Sequence, residues 1–213
     1  MAVKVPPHRS RRVEQAAQTR RRIVAAATAL FAEQGYATTT LEAIARHADV
    51  SVETLYKRFG NKVALLEAIS EPAIVGADDG TEIFDRTEIA RIAASKDQRD
   101  QVRQLAAFSR SILERVHAVY AILVGAAAAD SRAAELTSQH HQRRLQGQRR
   151  YIDLLLANGP LRPGLDPEDA AATYSALASP TNFDMLVHDL GWSADRFQEW
   201  LEHTLTRVLL DDR

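Results

Sequence analysis

Between Thr38 and Phe59 two short runs of helical periodicity flank a two-residue break, Asp49-Val50. Leu41, Ile44, Ala45 and Ala48 recur three and four apart and give the first run one apolar face. Thr39 and Glu42 have capping-box spacing, in which the Thr hydroxyl accepts from the Glu42 N–H and the carboxylate reaches back to the Thr39 N–H. Asp49-Val50 makes the turn, with Val50 as a wedge between the helices. Ser51 caps the second run, where Leu55 and Phe59, four apart, share an inward side. Val52, Glu53, Tyr56 and Lys57 fall on the other sides. A buried helix thus presents a second one outward, as a helix-turn-helix offers a helix to the DNA major groove.

The charge distribution agrees. The chain of 213 residues has a net charge of −1, but residues 1–60 hold ten basic and five acidic residues. That segment carries +5 and the remainder −6, so positive charge collects where phosphate neutralisation would need it. Cysteine is absent, which excludes disulfides, thiolate metal sites and thiol nucleophiles. No apolar run reaches 18 residues, and Met1 to Gln18 lacks the apolar centre of a secretory signal. A cytoplasmic location without membrane contact is expected.

The whole chain predicts an all-α fold in three parts: a flexible basic arm over 1–18, a helix-turn-helix domain over 19–70, and a helical domain over 71–213. Pro6-Pro7 argues against helix in the arm. A first helix is predicted over Thr19–Gln34, with Ile23, Ala27, Leu30 and Phe31 inward and Gly35 as its stop. Asn61 caps a fourth helix, Lys62 to Ile69, ended by Glu71-Pro72. Gly76 to Gly80 is a loop. Helices follow over Arg86–Ala94, Asp97–Arg115, His117–Ala128 (apolar on several sides) and Asp130–Ala157. Asp166-Pro167 opens a helix to Ala178, Ser179-Pro180 a short one ended by Gly191, and Ser193 caps the last, to Leu210.

The runs Thr19-Arg20-Arg21-Arg22-Ile23-Val24-Ala25-Ala26-Ala27, Leu30-Phe31-Ala32-Glu33-Gln34-Gly35-Tyr36 and Thr38-Thr39-Thr40 resemble the DNA-binding domain of TetR-family transcriptional regulators. So does Val50-Ser51-Val52-Glu53-Thr54-Leu55-Tyr56-Lys57-Arg58-Phe59-Gly60-Asn61-Lys62. The resemblance covers residues 19–70 without a gap. A weaker one, from Ser179-Pro180 through Gly191-Trp192-Ser193 and the last helix, is similar to the regulatory domain of one subgroup. It implies an all-helical homodimer that reads successive major grooves of a partly palindromic double-stranded DNA operator. The larger domain would dimerise through two C-terminal helices and hold an unknown small-molecule effector.

By motif position the resemblance gives Thr39, Thr40, Ser51, Thr54, Tyr56 and Lys62 as phosphate contacts. Val52, Glu53 and Lys57 would face base edges: Lys57 toward guanine, Glu53 toward cytosine N4, Val52 toward a thymine methyl. Glu53 reads equally as a first-turn acid favoured by the helix dipole, and Arg58 either touches DNA or pairs with an acid of its own domain. Tyr56 contacts backbone phosphate or packs half-buried.

In the larger domain Phe108, Ile112, Val116, Tyr120, Val124, Tyr174, Leu177 and Met185 are candidate pocket residues, with His117, Asn182 and His188 as polar groups that could orient a ligand. Core packing is the ordinary alternative for each apolar residue. Ala170, Ala171, Ala172 and Ala176, with the stripe Phe197, Trp200, Leu201, Leu205, Val208 and Leu209, suit a four-helix dimer interface, unless both helices only cover their own core. The adjacent His140 and His141 diverge on a helix and cannot share a metal. No catalytic or cofactor motif is present, and no enzyme, metal or cofactor is expected. The competing class is a helical small-molecule-binding protein with a vestigial DNA-binding domain.

Overall fold

The computed structural model describes residues 7–75 and 87–210, with side chains over 13–73 and 87–210. Every regular element among them is helical: α1 (Pro7–Gln34), α2 (Leu41–His47), α3 (Val52–Phe59), α4 (Lys62–Val75), α5 (Thr87–Ala94), α6 (Gln98–Ala127), α7 (Ser131–Leu156), α8 (Pro167–Leu177), α9 (Pro180–Phe183) and α10 (Ala194–Leu209). A π-helical turn, Asp184–Asp189, continues α9. The expected loop from Gly76 to Gly80 and the first six residues of the expected arm lie outside the described residues. Two compact units result, one of Met1–Ser70 with Ile122–Ala134, the other of Glu71–Ala121 with Glu135–Arg213.

In the first unit, Ile23, Ala27, Leu30 and Phe31 of α1 are buried with Ile44, Ala45, Leu55, Leu65 and Leu66. α1 starts at Pro7 rather than Thr19, so residues 7–18 are helical and not a flexible arm. Proline suits that position because the first turn needs no N–H and favours its fixed φ. α4 likewise passes through Pro72, where an end was expected. Beyond the proline, Ala73 packs on the core of the second unit, and its carbonyl accepts from Arg115 Nε at 3.3 Å.

The second unit is built around Leu105, Ile152, Leu155, Phe183, Phe197, Leu201 and Leu205, each at most 2% exposed. Phe183 and Phe197 meet edge to face at 5.0 Å. Asp166 caps α8 through Asp169 N (2.9 Å), and Ser193 caps α10 through Arg196 N (3.1 Å). The two helices predicted between Asp97 and Ala128 are one, α6. Its apolarity broadens near His117 because the buried side changes: Val116 joins the second unit's core, whereas Ile122, Leu123 and Ala126 are buried in the first unit. It is not apolar through burial all round, since Ala118, Ala121, Val124 and Gly125 are exposed.

The stripe of α10 that suited a dimer interface is largely occupied within its own unit. Phe197, Leu201, Leu205 and Leu209 are at most 1% exposed. Only Trp200 and Val208 of that stripe are half-buried, and on α8 Ala172 and Ala176 are exposed while Ala170 and Ala171 are covered.

Candidate functional site

The turn between α2 and α3 is made by Asp49 in the left-handed region (φ 51°), with Val50 half-buried beside it. Arg22 of α1 braces it, donating to the Asp49 carbonyl at 3.0 Å. Ser51 then caps α3: its Oγ accepts from Thr54 N at 3.1 Å and lies 2.8 Å from Thr54 Oγ1. Helix geometry leaves the N–H groups of Val52 and Glu53 without an internal acceptor, at the positive end of the dipole. Leu55 is fully buried, and Phe59 is half-buried under the Arg20 guanidinium, 5.4 Å from its ring.

The opposite side of α3 is open. Glu53, Tyr56, Lys57 and Arg58 are exposed, Tyr56 at 47%. None of the four has an ion-pair or side-chain hydrogen-bond partner among the described residues. Arg58 therefore pairs with no acid of its own unit there, and Tyr56 is not a packing residue.

Thr39, Thr40 and Lys62 stand differently from the sequence expectation. Thr40, not Thr39, caps α2, accepting from Ala43 N at 3.1 Å. Thr39 is 1% exposed, and its hydroxyl donates to the carbonyls of Gly35 (2.8 Å) and Leu30 (3.2 Å) at the end of α1. The Gly35 carbonyl lies past the last turn of α1 and lacks a helical partner, so an inward hydroxyl satisfies it, and no capping box forms on Thr39. Lys62 Nζ donates to the carbonyls of Tyr36 (2.6 Å) and Thr39 (3.0 Å) and sits 4.2 Å from the Tyr36 ring centre. Burial lowers its pKa, against the opposing pull of the Asp130 carboxylate. Both residues hold the α1–α2 connection in place instead of presenting their polar atoms to solvent.

Tyr36 extends that network. Its hydroxyl donates to Asp130 Oδ2 at 3.0 Å, and Asp130 Oδ1 in turn caps α7 through Arg132 N at 2.9 Å. The bond from Tyr36, then that from Arg132 N, hold the Asp130 carboxyl below its usual range, while burial and Asp130 push the Tyr36 phenol upward.

The expected pocket residues do not gather as one set. Phe108, Val116 and Tyr174 are core residues, with Ile112 and Leu177 packed against them. Met185 is 45% exposed, and Val124, 50% exposed, belongs to the first unit. Asn182 Nδ2 donates to the Ala176 carbonyl at 2.7 Å, closing the end of α8 rather than facing a ligand. His117 Nδ1 is 2.9 Å from Asp184 Oδ1, and Tyr120 OH bonds His141 Nε2.

The second unit instead buries a polar stripe that the sequence analysis missed. Thr137, His140, Arg144 and Gln148 recur three and four apart on α7, on the same side as Ala133, Tyr151 and Leu155. Arg144 lies near the phenols of Tyr120 and Tyr174; its pKa is lowered by burial, and no carboxylate pairs with it among the described residues. Its Nε, like Gln148 Oε1, is buried without a hydrogen-bond partner. Tyr174 OH is 2.7 Å from Ser109 Oγ, and burial raises its pKa to about 12. The 137, 140, 144, 148 spacing carries the signal, but it lies in a run, Gln139 to Arg150, so polar that it allows only a narrow buried stripe and does not say which polar groups form it.

Comparison with known proteins places this geometry. Residues 23–69 match the family described as bacterial regulatory proteins, tetR family. The HTH-type transcriptional regulator HbdR of Aromatoleum sp. (strain CIB) is 51% identical over 49 residues, a stretch covering 23% of this chain and 21% of that protein. Over nearly the whole chain the fold is similar to that of NalD, the secondary repressor of the MexAB-OprM multidrug efflux pump in Pseudomonas aeruginosa. The TM-score is 0.69 at 23% identity, over 94% of this chain and 100% of that one. It is similar too to SmeT of Stenotrophomonas maltophilia in its triclosan complex, with TM-score 0.68 at 23% identity over 91% and 92% of the two chains. A regulator from Saccharomonospora viridis in complex with choline gives TM-score 0.66 at 21% identity, over 92% and 99%. Over residues 23–69 the chain is thus similar in sequence to the tetR family of bacterial regulatory proteins, and over nearly its whole length it shares the fold of these solved structures.

Proposed function

We propose that the protein is a dimeric transcriptional repressor that binds a partly palindromic operator through α3 and is released by a small-molecule effector. The observation that carries this is the outward side of α3, where Glu53, Tyr56, Lys57 and Arg58 stand exposed and have no ion-pair partner among the described residues. Thr40, Ser51, Thr54 and Tyr56 are the phosphate contacts, helped by the free N–H groups at the start of α3. Val52, Glu53 and Lys57 face base edges and Arg58 lies at the margin. Thr39 and Lys62 act one step back, by fixing the connection that positions α2. Pairing through the open parts of α8 and α10, around Ala172, Ala176, Trp200 and Val208, would give the twofold symmetry an operator mirrors.

For the effector, the support is the interior of the second unit. The Arg144 guanidinium, half-buried with no acid partner among the described residues and near the phenols of Tyr120 and Tyr174, suits an anionic or phenolic molecule. The similar folds include complexes with triclosan and with choline, which fits a small-molecule role. An effector that binds one arrangement of the α3 pair while the operator binds another makes the two ligands negatively linked.

Selection of bound duplexes from a random pool tests the whole reading. A recovered twofold-symmetric sequence with half-sites about one helical turn apart, or a multiple of it, is expected. A failure to enrich any duplex, with the protein folded, would leave a helical small-molecule-binding protein with a vestigial DNA-binding domain.

A further inference from the structure

Three ligating groups that lie far apart in the sequence meet in the second unit. His117 of α6 places Nδ1 2.9 Å from Asp184 Oδ1, and His188 Nε2 is 3.9 Å from the same oxygen. All three ligand atoms lie within 4.8 Å of one another. Bound to one tetrahedral ion at about 2.0–2.1 Å, such atoms stand about 3.3 Å apart, so the two nearer separations bracket the requirement.

Asp184 and His188 stand four apart on the π-helical turn, which sets them on one side of the helix, toward His117 of α6; such turns are frequent at functional sites. Phe183 walls the group, its ring centre 5.7 Å from that of His117 and 6.0 Å from that of His188. The side chains remain 23%, 40% and 49% exposed, which leaves an entry path and room for a further ligand. Two imidazoles and one carboxylate match a borderline divalent transition ion and disfavour magnesium or calcium, which take oxygen ligands.

We propose that His117, Asp184 and His188 bind a divalent transition ion of the zinc type, with one coordination position left to water or an exogenous ligand. The two imidazoles stack, with ring centres 4.4 Å apart and planes at 23°. Capture of an ion therefore turns one ring about χ2, a broad and soft torsion. It also takes a proton from any ligating ring nitrogen that carries one; the lone pair goes to the ion and the proton to solvent.

The test uses the full chain without a histidine tag and stripped of metal. Zinc titration against a chromophoric chelator reads the affinity, and cobalt substitution reads the coordination by its visible absorption. One ion per chain is expected. His188→Ala and Asp184→Asn should each weaken binding by at least about tenfold, while His203→Ala, an exposed histidine of α10, leaves it unchanged. Absence of stoichiometric binding, or full affinity in His188→Ala, overturns the site. Should Asp184→Asn fail to fold by circular dichroism, the half-exposed His188 decides alone. Ion binding is read on the protein by itself, so the outcome stands whether or not an operator is found.

Discussion

In the first unit the polar side chains that matter stand outside the core: Tyr56 and Lys57 project from α3 while Leu55, beside them in sequence, is sealed in. In the second unit the arrangement is reversed, and Thr137, His140, Gln148 and much of Arg144 lie inside, along the seam of α7. A convex helix that reads DNA must keep its donors hydrated until phosphate and base edges replace the water. A site that encloses a small molecule holds its polar groups within the fold and tolerates the cost of desolvating them. The two units thus put polar groups on opposite sides of the same kind of element.

The sharpest separation is expected at neighbouring positions of α3. Leu55→Ala removes a fully buried side chain and should cost about 2–5 kcal/mol in denaturant unfolding. Tyr56→Ala should stay within about 0.5 kcal/mol of the parent and still weaken retardation of the selected duplex. Loss of the fold in Tyr56→Ala would mean that the open side of α3 is structural after all.

Two lysines five residues apart give the next test. Lys62→Met keeps the apolar stem and removes the charged donor from the Tyr36 and Thr39 carbonyls, for about 1–2 kcal/mol given its partial exposure. Lys57→Ala should leave stability alone and make the salt dependence of binding shallower by about one counterion if it also reaches phosphate, or relax preference at one base pair if it reads guanine. The comparison breaks if Lys62→Met alters the salt slope with stability untouched.

The first unit was legible because its signals are local. Ser51 and Asn61 announce helix starts within three residues, and Gly60, with φ 75°, closes α3. The inward bonds of Thr39 and Lys62 are not legible because what they satisfy, the carbonyls of Leu30, Gly35 and Tyr36, lies 9 or fewer residues away for one and 26 for the other. Nothing at their own positions says that they turn inward. In the second unit the groups that come together are separated further still: Ser109 and Tyr174 by 65 residues, His117 and Asp184 by 67. Periodicity locates such residues on their helices but does not say which helices meet.

The smallest effect is a difference in response to acid. His141 sits beside Arg144, and burial followed by that guanidinium lowers its pKa below the ordinary 6.5. The fold therefore prefers the neutral ring. That contribution is fully present above the unfolded value and drains away as pH falls through the lower folded one. Asp130 of the first unit is also depressed, but from 3.8, so its bond from Tyr36 persists until far more acid conditions. Unfolding midpoints taken from pH 7 to pH 5 should slope downward on acidification, and His141→Gln, which keeps a polar side chain but cannot titrate, should flatten that slope. Equal slopes for parent and variant would show that the surroundings of His141 are hydrated enough to accept a second positive charge beside Arg144.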